Sequence, residues 1–286
     1  MTKNNSKAYA PAHITGFFKI YDNGSTGAGL NPKLGAITTV KLMDKDSSTR
    51  IRINSVLDKA PVSNYVIEEY IKLDKKLKNI SLEIDHNLEY PAGYGMGMSG
   101  AGAFSLSLAL NDLLELNLDY DRCMDIARIS DIKAATGLGD VVAQKFHGLM
   151  IGLPPFPSST VEIIPTKYEY VTCGFFDSIS TSSIIKDQKF KQRINSIGSE
   201  CMDELEKDKA EDKFIELCRY FTKSTQIASK EVLSVMENIP LCSMSMLGQS
   251  VFLLTNDTTE SEKTLRQFCK NVKSSQISTR GAHVIR

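Results

Sequence analysis

The chain has no surplus of either charge. Its 34 basic residues are matched by 34 acidic ones over 286 positions, so nothing steers it toward a nucleic-acid backbone or an anionic membrane surface. It also lacks any C-x-x-C pair. The six cysteines, at 123, 173, 201, 218, 242 and 269, are scattered, which points away from a zinc ribbon or a disulfide framework and toward reduced, buried thiols. No stretch reaches the ~18 consecutive apolar residues of a membrane span, and the opening M-T-K-N-N-S-K carries no apolar core of a secretion signal. Repeats and low-complexity tracts are missing too. The expectation is a soluble, cytoplasmic, globular protein, and 42% hydrophobic residues are enough for a substantial core.

What the chain does have is glycine concentrated in one place. From Pro91 to Asn111 it reads P-A-G-Y-G-M-G-M-S-G-A-G-A-F-S-L-S-L-A-L-N, with glycines at 93, 95, 97, 100 and 102 giving way to an apolar run. This spells a loop that turns into a buried helix. Glycines let the backbone take positive φ and approach a ligand closely, and the free N–H groups of a first helical turn attract an anion such as a phosphate. Ser99 stands at the turn into the helix, where its hydroxyl can cap an N–H, touch a phosphate oxygen or ligate magnesium. No Lys-Ser or Lys-Thr follows, so this is not the usual P-loop. Gly95, Gly97 and Gly100 fit G-x-G-x-x-G, but no parallel βαβ with a downstream acid supports a dinucleotide fingerprint. The competing reading is a turn packed tightly with no ligand.

Around this loop the pattern is mixed α and β. Residues 8–21 read as one or two strands with irregularities at Pro11 and Gly16, and His13 lies among them, where a lone histidine is more often structural than catalytic. Residues 22–32, D-N-G-S-T-G-A-G-L-N-P, read as a long turn. Residues 35–43 and 49–57 look like paired strands, 62–78 like a helix, and 80–85 like a half-buried strand leading into the glycine loop. Residues 120–135 form another helix, which ends in T-G-L-G-D-V-V-A-Q. Asp140 there is either an N-cap worth about 1 kcal/mol or a functional acid. Asp131, near the end of the preceding helix, would face the same site. A strand at 146–153 leads to the strongest break, P-P-F-P-S-S-T, which sets a boundary between residues 1–157 and 158–286. Beyond it come strands at 161–164 and 170–176, helices at 188–207 and 211–238, and a small-residue turn at 242–248 feeding a strand. A helix at 260–272 and a last strand at 282–285 complete an α+β half.

Three stretches together resemble one superfamily. P-A-G-Y-G-M-G-M-S-G-A from Pro91 is similar to the phosphate loop P-x-x-x-G-L-G-S-S-A of the GHMP small-molecule kinases, A-P-A-H-I-T-G-F-F from Ala10 to their first motif, and M-S-M-L-G-Q-S-V-F from Met244 to their third. Within it, G-S-T-G-A-G (24–29), G-M-G-M-S-G-A-G (95–102), T-G-L-G-D-V (136–141) and M-L-G-Q-S-V-F (246–252) look like the archaeal pantoate kinase family. The resemblance covers essentially the whole chain.

It implies an α+β fold of the GHMP kinase type, an N-terminal ribosomal-S5 domain-2-like domain with the ATP loop and a C-terminal ferredoxin-like domain. It also implies ATP and Mg2+ as cofactors, pantoate as the acceptor, no nucleic-acid or membrane partner, and a homodimer. Carried over residue by residue, it implies that Pro91, Gly93, Gly95, Gly97, Met98, Ser99, Gly100, Ala101 and Gly102 bind nucleotide. Ser99 and Asp131 would hold the metal, Asp140 and His13 would be catalytic, and His13, Ser25, Gly27 and Gly137 would bind substrate. His13 occupies the place of a lysine in mevalonate kinases. The sequence departs from the pattern where Met98 replaces the first loop serine, where Asp131 replaces a glutamate, and where Thr26 stands at a position expected to be basic. Residues 146–153 carry no arginine for a substrate carboxylate. Mevalonate, homoserine or shikimate as acceptor, or a non-catalytic nucleotide binder, are the alternatives.

Overall fold

A computed structural model describes residues 3–22, 24–44, 47–152, 160–177 and 188–286. The core of the N-terminal part is a six-stranded sheet in the order β14-β1-β4-β7-β5-β6. Its strands are β1 (Asn5–Pro11), β4 (Gly35–Met43), β5 (Arg50–Ile53), β6 (Val56–Leu57), β7 (Ser81–Leu88) and β14 (His283–Val284). β7 shows why such a segment pairs: Leu82, Ile84 and His86 alternate inward while Glu83, Asp85 and Asn87 turn outward. Helix α2 (Met98–Leu113) packs on this sheet, and α1 (Pro61–Leu73) and α3 (Tyr120–Lys133) pack against α2 and each other. α2 is buried on nearly every side because its glycines, alanines and serines let sheet and neighbouring helices come close.

A second sheet, β2-β3-β8-β9, is antiparallel throughout and joins β2 (Ile14–Tyr21), β3 (Gly24–Asn31), β8 (Gly148–Gly152) and β9 (Val161–Ile164). The third contains β10 (Tyr170–Asp177), β11 (Cys242–Ser245), β12 (Gln249–Thr255) and β13 (Asn271–Gln276) in the antiparallel order β11-β12-β10-β13. Helices α5 (Gln188–Lys207), α6 (Glu211–Thr225) and α7 (Lys230–Asn238) lie between β10 and β11 in sequence, and α8 (Thr258–Leu265) lies between β12 and β13. With a helical segment in each crossover, that strand order is the ferredoxin-like arrangement. The short α4 (Asp140–Gln144) precedes β8. Phe17 of β2, Phe214 and Phe221 of α6 and Phe252 of β12 stack with ring centroids 6.1 to 6.4 Å apart, tying the second and third sheets into one core.

Several sequence readings are corrected. Residues 24–31 are a strand and not a turn: flanked by β2 and β8, their backbone groups are taken up by two ladders, which overrides the low strand propensity of glycine. The segments 35–43 and 49–57 are not partners. β4 pairs with β1 and β7, and β5 lies beyond β7, parallel to it. The helix expected at 211–238 is two helices, because Gln226 turns left-handed at φ 57° and Ser229 caps a fresh start by accepting from Val232 N–H. Residues 242–245 form a strand before the turn, and the helix expected at 260–272 stops at Leu265 so that Asn271–Gln276 can fill the edge of the third sheet. The proline-rich break at 154–160 lies, except for Thr160, outside the described residues, as does the boundary at 157/158. The last strand, β14, pairs with β1.

Arg219 of α6 closes the end of α7. Its guanidinium donates to Met236 O at 2.7 Å, Cys242 O at 2.6 Å and Ile239 O at 3.2 Å. Arg219→Met keeps the apolar stem and strands three carbonyls, so urea unfolding should report a loss of about 2 kcal/mol. An unchanged midpoint and slope would show that water satisfies those carbonyls equally well.

Candidate active site

The glycine loop is held open by its carbonyls. Tyr94 O accepts from Ser250 Oγ (2.6 Å), Gly95 O from Ser245 Oγ (2.6 Å), Met96 O from His13 N–H (3.0 Å), and Gly97 O from Gln144 Nε2 (2.7 Å). Gly93, Gly95 and Gly97 sit at φ 84°, 75° and 60°, the left-handed region where glycine is unstrained. No side chain caps α2, and its first helical bond runs from Ala101 N–H to Gly97 O. With four consecutive carbonyls engaged elsewhere, the N–H groups of this turn are left to meet an anion.

Three cavities run in sequence past this turn. One of about 650 Å³ is lined by Ile53, Ala60, Val62, Ser63, His86 and Leu88 and by Met98, Ser99, Gly102 and Thr136. A second shares Gly93, Met98, Ser99 and Thr136 with the first and adds Gly95, Gly97, Gly137, Asp140 and Met246. A third shares Thr15, Phe18, Ser25, Gly139 and Asp140 with the second and reaches His13, Gly27 and Gly29. The result is a trough with a large, mainly apolar end, an anion-binding middle and a small end where His13, Ser25 and Asp140 stand among apolar walls.

The sequence-chosen residues fall unevenly along it. Gly93, Gly95, Gly97, Met98, Ser99 and Gly102 line the first two cavities, and His13, Ser25, Gly27, Gly137 and Asp140 line the second or third. Pro91, Gly100 and Ala101 line none of the three; Ala101 is buried within α2, and Gly100 abuts Gln144 and Val141. Asp131 is only 2% exposed and stands behind the wall. Its Oδ1 accepts from Ser99 Oγ and from Thr136 Oγ1, each at 2.6 Å. Sequence reasoning assigned no role to Thr136 or to Thr15, though both lie inside quoted motifs.

Asp140 is not an N-cap. Gly139 holds that position and Asp140 is the first residue of α4, lining the same cavities as Thr15. Burial pushes the Asp140 carboxyl up to about 6, against the pull of Thr15. Asp131 is likewise pushed up to about 6, first by burial and further by the charge of Asp140, with Ser99 and Thr136 opposing. Burial drives His13 the other way, down to about 4, so it is neutral at physiological pH. In the first cavity His86 is also neutral, lowered to about 4 by burial, and hydrogen-bonds Thr38 and Ser63.

A raised acid binds its proton more tightly when folded than when unfolded, so Asp131 and Asp140 cost stability as pH rises through about 6. His13 and His86 are depressed, and the stability they contribute is present above their ordinary value and lost as pH falls toward about 4. Asp140→Asn leaves both histidines in place, removes one buried charge and relieves Asp131. Its melting temperature should exceed the wild type's at pH 8, and the gap should shrink at pH 5, where the wild-type acids are protonated. Equal gaps at both pH values would show that Asp140 carries no burial cost.

The donor set suits a hard cation. Ser99, Thr136 and Asp131 offer only oxygen, which fits Mg2+ arriving with phosphates. Among the described residues no three of His, Cys, Asp and Glu gather into a self-sufficient metal cage, and no helix is long and apolar enough to cross a membrane.

Comparison with known proteins agrees with this layout. Residues 64–148 match the GHMP kinases N terminal domain. The chain is 33% identical over 261 residues to a pantoate kinase of Methanocaldococcus jannaschii, covering 88% of this chain and 93% of that one. It is 29% identical over 262 residues to a pantoate kinase of Methanospirillum hungatei, covering 86% of each. A solved structure described as a phosphotransferase related to the CoA biosynthesis pathway superposes with a TM-score of 0.86 at 24% identity, covering 99% of both chains, and bears on the fold alone. Near-complete coverage at one-third identity, with the GHMP kinase arrangement of sheets beneath it, makes this chain a small-molecule kinase belonging to the pantoate kinase family of the GHMP kinases.

Proposed function

We propose that the protein transfers the γ-phosphoryl group of ATP to the C4 hydroxyl of pantoate, giving ADP and 4-phosphopantoate for coenzyme A biosynthesis in archaea. The observation that carries this reading is the order of the trough: a cavity roomy enough for a nucleoside, then the N–H groups of the α2 turn, then Asp140, then a small pocket reaching His13 and Ser25. Phosphoryl transfer needs the nucleotide fixed, the hydroxyl held in line and developing charge met by preorganised dipoles.

In this reading the adenine occupies the cavity beside Ser63 and His86, and the triphosphate lies along Gly93, Gly95, Gly97, Met98 and Ser99. Pro91, Gly100, Ala101 and Gly102 shape the loop and the helix start. Ser99 and Thr136, with Asp131 behind them, would hold Mg2+, which would neutralise charge on the phosphates. Asp140 orients the acceptor hydroxyl and takes its proton as the new O–P bond forms and the bond to the leaving ADP oxygen breaks. His13, Ser25, Gly27 and Gly137 hold pantoate. Thr26, where a basic residue was expected, donates its hydroxyl to Gly152 O. No lysine or arginine lines the third cavity among the described residues, so Ser25 and backbone N–H groups meet the carboxylate.

We divide the chain at 157/158 into an ATP-binding part and a C-terminal part, the latter lending β9 and β14 to sheets of the former. Use of ATP argues for the cytoplasm, and the family resemblance for a homodimer, which light scattering would test.

ADP release with magnesium-ATP should occur with pantoate and not with mevalonate, homoserine or shikimate; turnover with another acid would overturn the acceptor assignment. Asp140→Asn should retain ATP binding and lose about a hundredfold or more in kcat. Because the Asp140 carboxylate is the active form and titrates at about 6, wild-type kcat should decline as pH falls through that value. Ser99→Ala should raise the magnesium requirement, and an unchanged magnesium dependence would reduce Ser99 to a structural hydroxyl.

A further inference from the structure

The small end of the trough contains a histidine whose proton is placed by a residue outside every motif. Asn31, at the end of β3, is fully buried. Its Nδ2 donates to Ala143 O at 2.8 Å and Phe146 O at 2.9 Å, at the end of α4 and just beyond it. Two carbonyl acceptors fix the amide's orientation: flipped, its oxygen would face two other oxygens. Oδ1 therefore faces His13 Nδ1 at 2.8 Å, and only an N–H on Nδ1 makes that contact a hydrogen bond. The other ring nitrogen, Nε2, carries the lone pair. It has no hydrogen-bond partner among the described residues and packs beside Gly29, where a Cβ would come within 2.9 Å of it. Both residues line the third cavity.

We infer that Asn31 holds the His13 imidazole as a hydrogen-bond acceptor at Nε2, and that this nitrogen receives the acceptor substrate's second hydroxyl, the one that is not phosphorylated. The inference rests on the acceptor pocket assigned above. A bare nitrogen lone pair repels carboxylate and phosphate oxygens and accepts an O–H, so His13 is matched to an alcohol and not to an anion. Asp140 faces the same pocket: a Cβ on Gly97 would lie 3.2 Å from His13 Cβ and 3.3 Å from Asp140 Cβ, so the two side chains flank one point of the glycine loop. One group takes the reacting hydroxyl and the other the bystander. The site thereby selects acids bearing two hydroxyls over those with one. Asn31 acts through His13 and is a positioning residue.

The tautomer is measured directly. Long-range ¹H–¹⁵N correlation of histidine-labelled wild-type protein at pH 7, assigned by loss of signals in His13→Gln, should show a protonated Nδ1 and a bare Nε2 for His13. A protonated Nε2 would overturn the assignment without any reference to activity. The second arm compares pantoate with 4-hydroxy-3,3-dimethylbutanoate, which lacks the second hydroxyl. Wild-type kcat/KM should fall by about a hundredfold or more with the analogue, as expected when a buried acceptor loses its donor. Asn31→Asp keeps the outline of the amide and favours an imidazolium whose Nε2 donates, but it also loses the two donations to Ala143 O and Phe146 O, so its melting temperature is measured alongside to confirm that it folds. It should raise KM for pantoate by about tenfold with little change in kcat, and should narrow the gap between the two acids. Equal use of both acids by the wild type would overturn the hydroxyl readout. Turnover of neither would overturn the pantoate reading, leaving the NMR result to decide the role of Asn31.

Discussion

The geometry of this protein depends on four carbonyl oxygens. Those of Tyr94, Gly95, Met96 and Gly97 are bound by Ser250, Ser245, the His13 backbone and Gln144, donors drawn from three distant parts of the chain. A glycine-rich loop left to itself would sample many shapes, since each glycine loses more conformational freedom on ordering than any other residue. Holding every carbonyl outward leaves the N–H groups inward, so the anion site exists before any anion arrives and no ordering cost falls on the binding step. It also explains why a turn near the C-terminal end belongs to the same site. Gly248 packs against the Tyr94 carbonyl so closely that a Cβ would come within 2.2 Å of its oxygen.

The titratable groups around this loop are few, and burial opposes the charge of each. Asp131 and Asp140 are held near the point of protonation by burial, and His13 and His86 are held neutral by it. An apo site of this kind is strained electrostatically: two acids share a poorly solvated region and no cation among the described residues lines either neighbouring cavity of the acceptor end. Magnesium and the phosphates would bring their own compensating charges, so the site costs stability when empty and is relieved when filled. That is the ordinary exchange of stability for function, visible here in named groups.

The fold was legible in the sequence wherever one physical signal dominated. Alternation marked β7, helical spacing marked α3, and the glycine run announced the α2 turn. It was illegible where tertiary context outvoted local preference. Residues 24–31 look like a turn because of their three glycines, yet two neighbouring strands capture them. Residues 35–43 and 49–57 look like a hairpin because they are adjacent, yet β7 inserts between them. Of the candidate site, Ser99, Asp140 and His13 were recoverable because they lie inside short motifs. Asp131 was recoverable too, although its place behind Ser99 and Thr136 was not. Nothing local marks Asn31 or the cavity beside Ser63 and His86, because each is assembled from segments far apart in sequence.

Asn31 shows why motif reading stops short of specificity. In the proposed mechanism the motifs place phosphate and metal, demands shared by kinases of this architecture. What the acceptor pocket recognises depends on which atoms of His13 carry protons, and that is decided by two backbone carbonyls near α4 acting through one buried amide. Replacing a cationic side chain with a neutral imidazole at this point turns a donor of charge into an acceptor of a hydroxyl proton. With no basic residue lining the described part of that pocket, discrimination falls to hydrogen bonds of defined polarity. A buried acceptor left without its donor is costly, and in the proposed mechanism that cost lets a small pocket without lysine or arginine distinguish one hydroxy acid from another.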